Sequence, residues 1–179
     1  MLIRSPETLP RQAAPRRIAV RVKQKAVPAI RSGHPWLFED SVKKAPPDAV
    51  PGDVAVLYDP DGKKILGAGL YDPHSQLRVR ILQKDPAQPP VGPALFAKLA
   101  ADATSVRTDA IPTETTAYRL ANGESDGFPG LVADRYADTL VVKLYSEAFV
   151  PWAGDIADAF FAAKNASAMS PAHGTNASE

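Results

Sequence analysis

Apolar and polar positions alternate with a period of two in several short stretches of this chain. Ile18, Val20 and Val22 face one way while Arg21 and Lys23 face the other, the pattern of a half-buried strand with a basic outer face. A short helix is expected from Ala26 to Ser32, stopped by Gly33. Trp36-Leu37-Phe38 and Val54 to Tyr58 follow as strands, and Asp59-Pro60-Asp61-Gly62 has the chemistry of a hairpin turn leading into Lys64 to Tyr71. Leu77 to Leu82 alternates again, with Leu77, Val79 and Ile81 inward and Arg78 and Arg80 outward. Short strands at this spacing with one small helix predict a compact β-barrel over residues 18–85.

Beyond a stiff, proline-rich linker at residues 85–93 the period changes to that of a helix. Leu95, Phe96, Leu99, Ala103 and Val106 fall on one helical face. Strands are expected near residues 117–121, 130–136 and 139–145. A second amphipathic helix, 150–164, carries Trp152, Ile156, Ala159, Phe160 and Ala163. The predicted fold class is mixed α+β: an N-terminal barrel, then a small α+β domain (helix, three strands, helix) at residues 91–164. The polar, proline-rich residues 1–17 read as a disordered arm. The Ala/Ser/Asn-rich residues 165–179 read as an unfolded tail.

Composition narrows the chemistry. The 179 residues include no cysteine, which excludes thiolate metal ligation and a cysteine nucleophile within them. The apolar runs are too short to cross a membrane and no signal peptide is recognisable, so a cytoplasmic protein with no membrane partner is expected. A net charge of +1 conceals an asymmetry. Residues 1–85 carry 15 Lys/Arg against 9 Asp/Glu, and residues 86–179 carry 6 against 11. The first half is thus suited to meet a polyanion and the second is not.

Gly123-Glu124-Ser125-Asp126-Gly127 satisfies the spacing of a serine-hydrolase elbow. The elbow needs a helix leaving the nucleophile, and Phe128-Pro129-Gly130 opposes one. His173 lies in a polar segment with nothing to hold an imidazole, so a catalytic triad is rejected. Glu124, Asp126 and Asp134 have turn neighbours and no nearby histidine, which favours turn and capping roles over a metal site. Gly67-Ala68-Gly69 is too short for a dinucleotide loop and reads as strand glycine. Trp36 and Phe38 could stack a base, although core anchoring is the commoner use of such residues.

Three segments together carry a family resemblance: Gly33-His34-Pro35-Trp36-Leu37-Phe38, Gly67 to Arg80 with Tyr71-Asp72-Pro73-His74-Ser75 at its centre, and Glu124-Ser125-Asp126-Gly127-Phe128-Pro129-Gly130-Leu131 with Asp134-Arg135-Tyr136. In order and spacing they resemble the PUA-containing, S-adenosylmethionine-dependent ribosomal RNA (cytosine-C5) methyltransferases. The resemblance implies a PUA-like barrel, a linker domain and ribosomal RNA as partner. It also implies a Rossmann-type domain supplying the cofactor loop and a nucleophilic cysteine, neither recognisable here. The expectation is therefore the RNA-targeting half, with the Rossmann-type domain absent, no cofactor or metal of its own and no methyl transfer alone. A catalytic domain supplied separately and a non-functional truncation product remain as alternatives. Arg21, Lys23, Lys25, Arg31, His34, Arg78 and Arg80 are the expected RNA contacts, forming a basic ridge if the first strand and the Leu77–Leu82 strand are neighbours.

Overall fold

The computed structural model describes residues 6–12, 14–85, 87–112 and 114–169. Its first half forms β1 (Arg17–Val22), α1 (Val27–Arg31), β2 (Trp36–Phe38), β3 (Val42–Lys44), β4 (Val54–Tyr58), β5 (Ile65–Tyr71) and β6 (Leu77–Gln83). These strands make one mixed sheet in the order β2-β6-β5-β4-β1-β3. Only β1 and β4 run parallel; the other pairs are antiparallel. The second half forms α2 (Pro93–Ala110), β7 (Ala117–Asn122), β8 (Leu131–Tyr136), β9 (Thr139–Leu144) and α3 (Ala153–Met169), with the strands in a separate antiparallel meander. Among the described residues no helix is long and apolar enough to cross a membrane.

The expected closed barrel does not form, because β2 and β3 are open edges that do not pair with one another. Nor does the second half fold around a core of its own. One face of the six-stranded sheet buries Ile18, Val20, Leu57, Val79 and Ile81 with Val27 and Ile30 of α1. The opposite face contributes Val54, Leu70 and Leu82 to a larger core with Phe96, Leu99, Phe128, Phe149, Trp152 and Phe160. Trp152 fixes this docking by donating from Nε1 to the Gly52 carbonyl at 2.9 Å. Both faces are therefore covered over much of the sheet, a condition that simple alternation cannot distinguish from a barrel interior.

The doubly covered sheet accounts for one specific reversal. Strand register places Val54, Leu70, Arg80 and Trp36 side by side on the same face of β4, β5, β6 and β2. Arg80 does point away from the Val79–Ile81 core, as the alternation requires. It is nonetheless only 5% exposed, because the second layer lies over it. Between β6 and β1 stand β5 and β4, so the anticipated ridge joining Arg78 and Arg80 to Arg21 and Lys23 does not exist.

Both predicted termini also differ where they are described. Leu9 is buried, Gly154 donates its backbone N–H to Pro10, and Arg11 pairs with Asp158 at 2.5 Å, so residues of the expected arm pack on α3. Helix α3 continues to Met169, five residues into the expected tail. Residues 170–179, including His173, lie outside the described residues, as do residues 1–5.

Candidate nucleic-acid interface

The edge strand β2 is three residues long and alternates Trp36 out, Leu37 in, Phe38 out. Leu37 enters the core, whereas Phe38 is 44% exposed and Trp36 is half-buried, so of the two aromatics Phe38 is not a core anchor and Trp36 sits at the border of core and surface. His34, Trp36 and Phe38 form a row in which Trp36 meets His34 edge-on at 5.5 Å and Phe38 edge-on at 6.3 Å. His34 Nδ1 lies within hydrogen-bond distance of the Trp36 backbone N and O, at 3.3 and 3.1 Å, which fixes its ring beside the row. Such a row offers π-faces on which unpaired bases can stack.

A cavity of about 610 Å³ opens beside this row and is lined by Lys25, His34, Trp36, Phe38, Asp40 and Gln76. Lys25 contacts Asp40 at 2.5 Å. The hydrogen bond from Lys25, and then that from Ser41, holds the Asp40 carboxyl below the usual carboxylate range. Two of the expected contact residues, Lys25 and His34, are thus brought together here. Arg31 sits elsewhere, in a cavity of about 470 Å³ that also gathers Arg17, Lys64 and Lys84 around one acid, Asp85. Arg21 and Lys23 are exposed, and Arg21 faces Lys44 of β3 in register. With Lys43 they make the β3 edge of the sheet strongly basic, which also discourages another strand from pairing there.

The two arginines of β6 are not surface cations. Arg78 donates to the Pro73 carbonyl and pairs with Glu39 at 2.5 Å, holding the loop after β5 against the segment after β2. Arg80 is enclosed beneath the 3₁₀ turn Gly123–Asp126, and burial pushes its pKa down against the opposing charges of Asp72 and Glu124. That turn leads through Gly127 into β8 and not into a helix, so the G-x-S-x-G residues form a connection and not a nucleophile elbow. The acids of this turn, and Asp134 of β8, have structural partners. Trp36 Nε1 donates to Glu124, Arg107 forks onto Asp126, and Arg119 donates to Asp134.

One set of possible metal ligands was not visible in the sequence, because it joins residues 73 positions apart. Asp72, His74 and Glu147 place one ligand atom each within 4.8 Å of one another. They already satisfy each other. His74 Nδ1 lies 2.9 Å from Glu147, and the Asp72 oxygens accept from Ser146 Oγ and the His74 N–H. Gly67 and Gly69 lie inside β5, and among the described residues nothing has the strand, glycine-rich turn and helix geometry that would cradle S-adenosylmethionine.

Residues 20–84 match the family model of the PUA-like domain. A ribosomal RNA large subunit methyltransferase of Deinococcus radiodurans is 45% identical over 148 residues, covering 79% of this chain and 35% of that protein. A ribosomal RNA large subunit methyltransferase I of Vibrio cholerae is 35% identical over 119 residues, covering 66% of this chain and 29% of that protein. The chain carries a PUA-like domain and is homologous to ribosomal RNA large subunit methyltransferases. It spans about a third of the length of these relatives.

Among solved structures, a Streptococcus mutans chain described as a SAM-dependent methyltransferase superposes with a TM-score of 0.63 at 22% identity, covering 84% of this chain and 38% of that one. A second, a methyltransferase complexed with SAH, gives 0.62 at 21% identity over 86% of this chain and 37% of that one. At this identity the likeness concerns the fold. It overturns the description of a barrel and linker defined by a missing Rossmann-type domain: chains described as SAM-dependent methyltransferases share this arrangement of two sheets.

Proposed function

We propose that these residues form the RNA-engaging part of a cytoplasmic ribosomal RNA methyltransferase of the cytosine-C5 class, residues 18–85 and 91–164 acting together. The observation that carries this reading is the solvent-accessible His34–Trp36–Phe38 row on an edge strand, in which Phe38 is exposed and His34 and Trp36 are half-buried, beside a cavity whose wall includes Lys25. Stacking on the row would hold unpaired nucleotides. Lys25, Arg31, Arg21 and Lys23 would contact phosphates and set the salt dependence. Arg78 and Arg80 are not assigned to phosphates, since their guanidinium groups are enclosed. The cytosine-C5 reaction requires a thiolate to add to the pyrimidine ring, and no cysteine occurs among the 179 residues. Substrate engagement, not the transfer step, is therefore the role proposed for these residues.

Fluorescence anisotropy with a labelled large-subunit rRNA fragment tests the reading. Saturable binding whose affinity falls linearly with the logarithm of salt concentration is expected, with a slope of about three to four phosphate contacts. Binding that is absent at low salt, or indifferent to salt, would remove RNA engagement as the function.

A further inference from the structure

Between β6 and the Gly123–Asp126 turn lies a cavity of about 310 Å³ with an unusual wall. Arg80 lines it at 5% exposure, and its Nε and Nη1 have no hydrogen-bond partner among the described residues. A buried guanidinium without acceptors is costly to maintain, so a molecule that supplies acceptors there would bind with corresponding advantage. The acids nearest to it are not in contact. Both Asp72 oxygens are engaged by Ser146 and His74, and Glu124 Oε1 accepts from the Trp36 indole.

We propose that this cavity seats a single unpaired RNA base, its acceptor atoms facing Arg80 and a ring N–H or amino group facing Glu124. The proposal rests on the RNA-engaging reading above and adds a second, enclosed subsite to it. Charge selects the ligand class. The wall carries one guanidinium, Arg80, and one carboxylate, Glu124, a balanced pair that offers a phosphate no excess positive charge and suits a neutral edge presenting both acceptors and donors. The volume is near the lower end of small-molecule sites, about 300 Å³, which matches one base and not a longer segment. Leu77, Leu131 and Val132 supply apolar walls, Ser125 stands on the rim, and Tyr145 offers a half-exposed ring at the mouth for stacking. The shared Glu124 ties this pocket to Trp36, so a base in the pocket continues directly from bases stacked on the β2 row.

The test compares three RNA hairpins: fully paired, carrying a one-nucleotide bulge, and carrying the same bulge without its base. Wild-type protein is expected to bind the bulged hairpin about tenfold more tightly than the abasic one. Ser125→Leu, which fills the rim from an exposed position, should bring that ratio to about one while leaving the paired hairpin's affinity unchanged. Arg80→Gln should do the same to the ratio, and if it fails to fold, Ser125→Leu alone decides. Equal wild-type affinity for base and abasic bulges would overturn the proposal while leaving RNA binding intact. A ratio that survives Ser125→Leu would also overturn it, placing the base elsewhere. Loss of binding to every hairpin by wild type would instead be the failure of the RNA-engaging reading.

Discussion

Trp36 on the edge strand β2 and Glu124 in the turn after β7, 88 residues apart, are joined by an indole N–H to carboxylate hydrogen bond of 3.1 Å. Through it the second half of the chain sets the angle of the ring that the first half presents to solvent. Glu124→Ala should release the indole, lowering affinity for unpaired RNA and changing the emission of Trp36. The stability cost should stay near 1 kcal/mol, because the pair is exposed. Glu124→Gln keeps an acceptor in place and should restore both affinity and emission. Binding titrations and thermal melts on the two variants separate positioning from folding.

The Arg107–Asp126 pair should matter far more to stability. Two N–H donors reach the carboxylate at 2.6 and 2.7 Å, and the Asn122 backbone N–H adds a third at 2.6 Å. Removing one partner of such an enclosed pair leaves the other charge unsatisfied. Asp126→Ala should therefore cost about 3 kcal/mol, read as a shift in the urea midpoint.

The same carboxylate predicts a pH dependence. Partial burial pushes the Asp126 pKa up, but the Arg107 fork and the Asn122 N–H outweigh it and hold the group below the usual carboxylate range. A lowered native pKa contributes stability that is fully present above the unfolded value and is lost as pH falls through the native one. The melting temperature should thus hold from neutrality to about pH 5 and decline below about pH 4. Asp126→Asn should lower the neutral plateau and flatten that acid decline. An acid decline unaltered by the substitution would place its origin in other carboxylates.

Gly69 tests the packing of the sheet. A Cβ at this position would lie 2.0 Å from the Arg80 carbonyl oxygen, on the β5 side of an irregular register. Backbone cannot yield as a side-chain tip can, so Gly69→Ala should destabilise the protein by more than about 2 kcal/mol. Gly127→Ala is a milder comparison. Its φ of +77° disfavours any Cβ, but the nearest atom, at 2.9 Å, belongs to the flexible Leu99 side chain. Urea midpoints ordering wild type above Gly127→Ala above Gly69→Ala would support the account.

The contrast between what the sequence announced and what it concealed has a physical basis. Alternation placed Val79 and Ile81 in one core, and the helical spacing of Phe96 and Leu99 or Ile156 and Phe160 put them in the other. Period and polarity report which side of a strand a residue occupies, not what covers that side. Arg80 accordingly pointed the expected way and still became buried, and the surface ridge built on it disappeared. Strand order is equally silent in periodicity, so β1 and β6 could be imagined as neighbours although two strands divide them. Phe38 shows the opposite difference, being expected in a core with Trp36 because aromatics usually belong there. Their place on an edge strand with only Leu37 between them left Phe38 exposed and Trp36 half-buried. The Trp36–Glu124 bond and the Asp72–His74–Glu147 group depend on contacts between distant parts of the chain, which no local pattern encodes.

The aromatic row on β2 is the centre of this account, and the double substitution Trp36→Ala, Phe38→Ala addresses it most directly. Its affinities for a single-stranded and a fully paired RNA of equal length should be measured against wild type by anisotropy at one salt concentration. Single-strand affinity should fall by about tenfold or more, as the loss of base stacking requires, while duplex affinity and salt slope stay unchanged. An unchanged single-strand affinity in a folded double variant, or an equal fall for both RNAs, would contradict the row's role as a base platform.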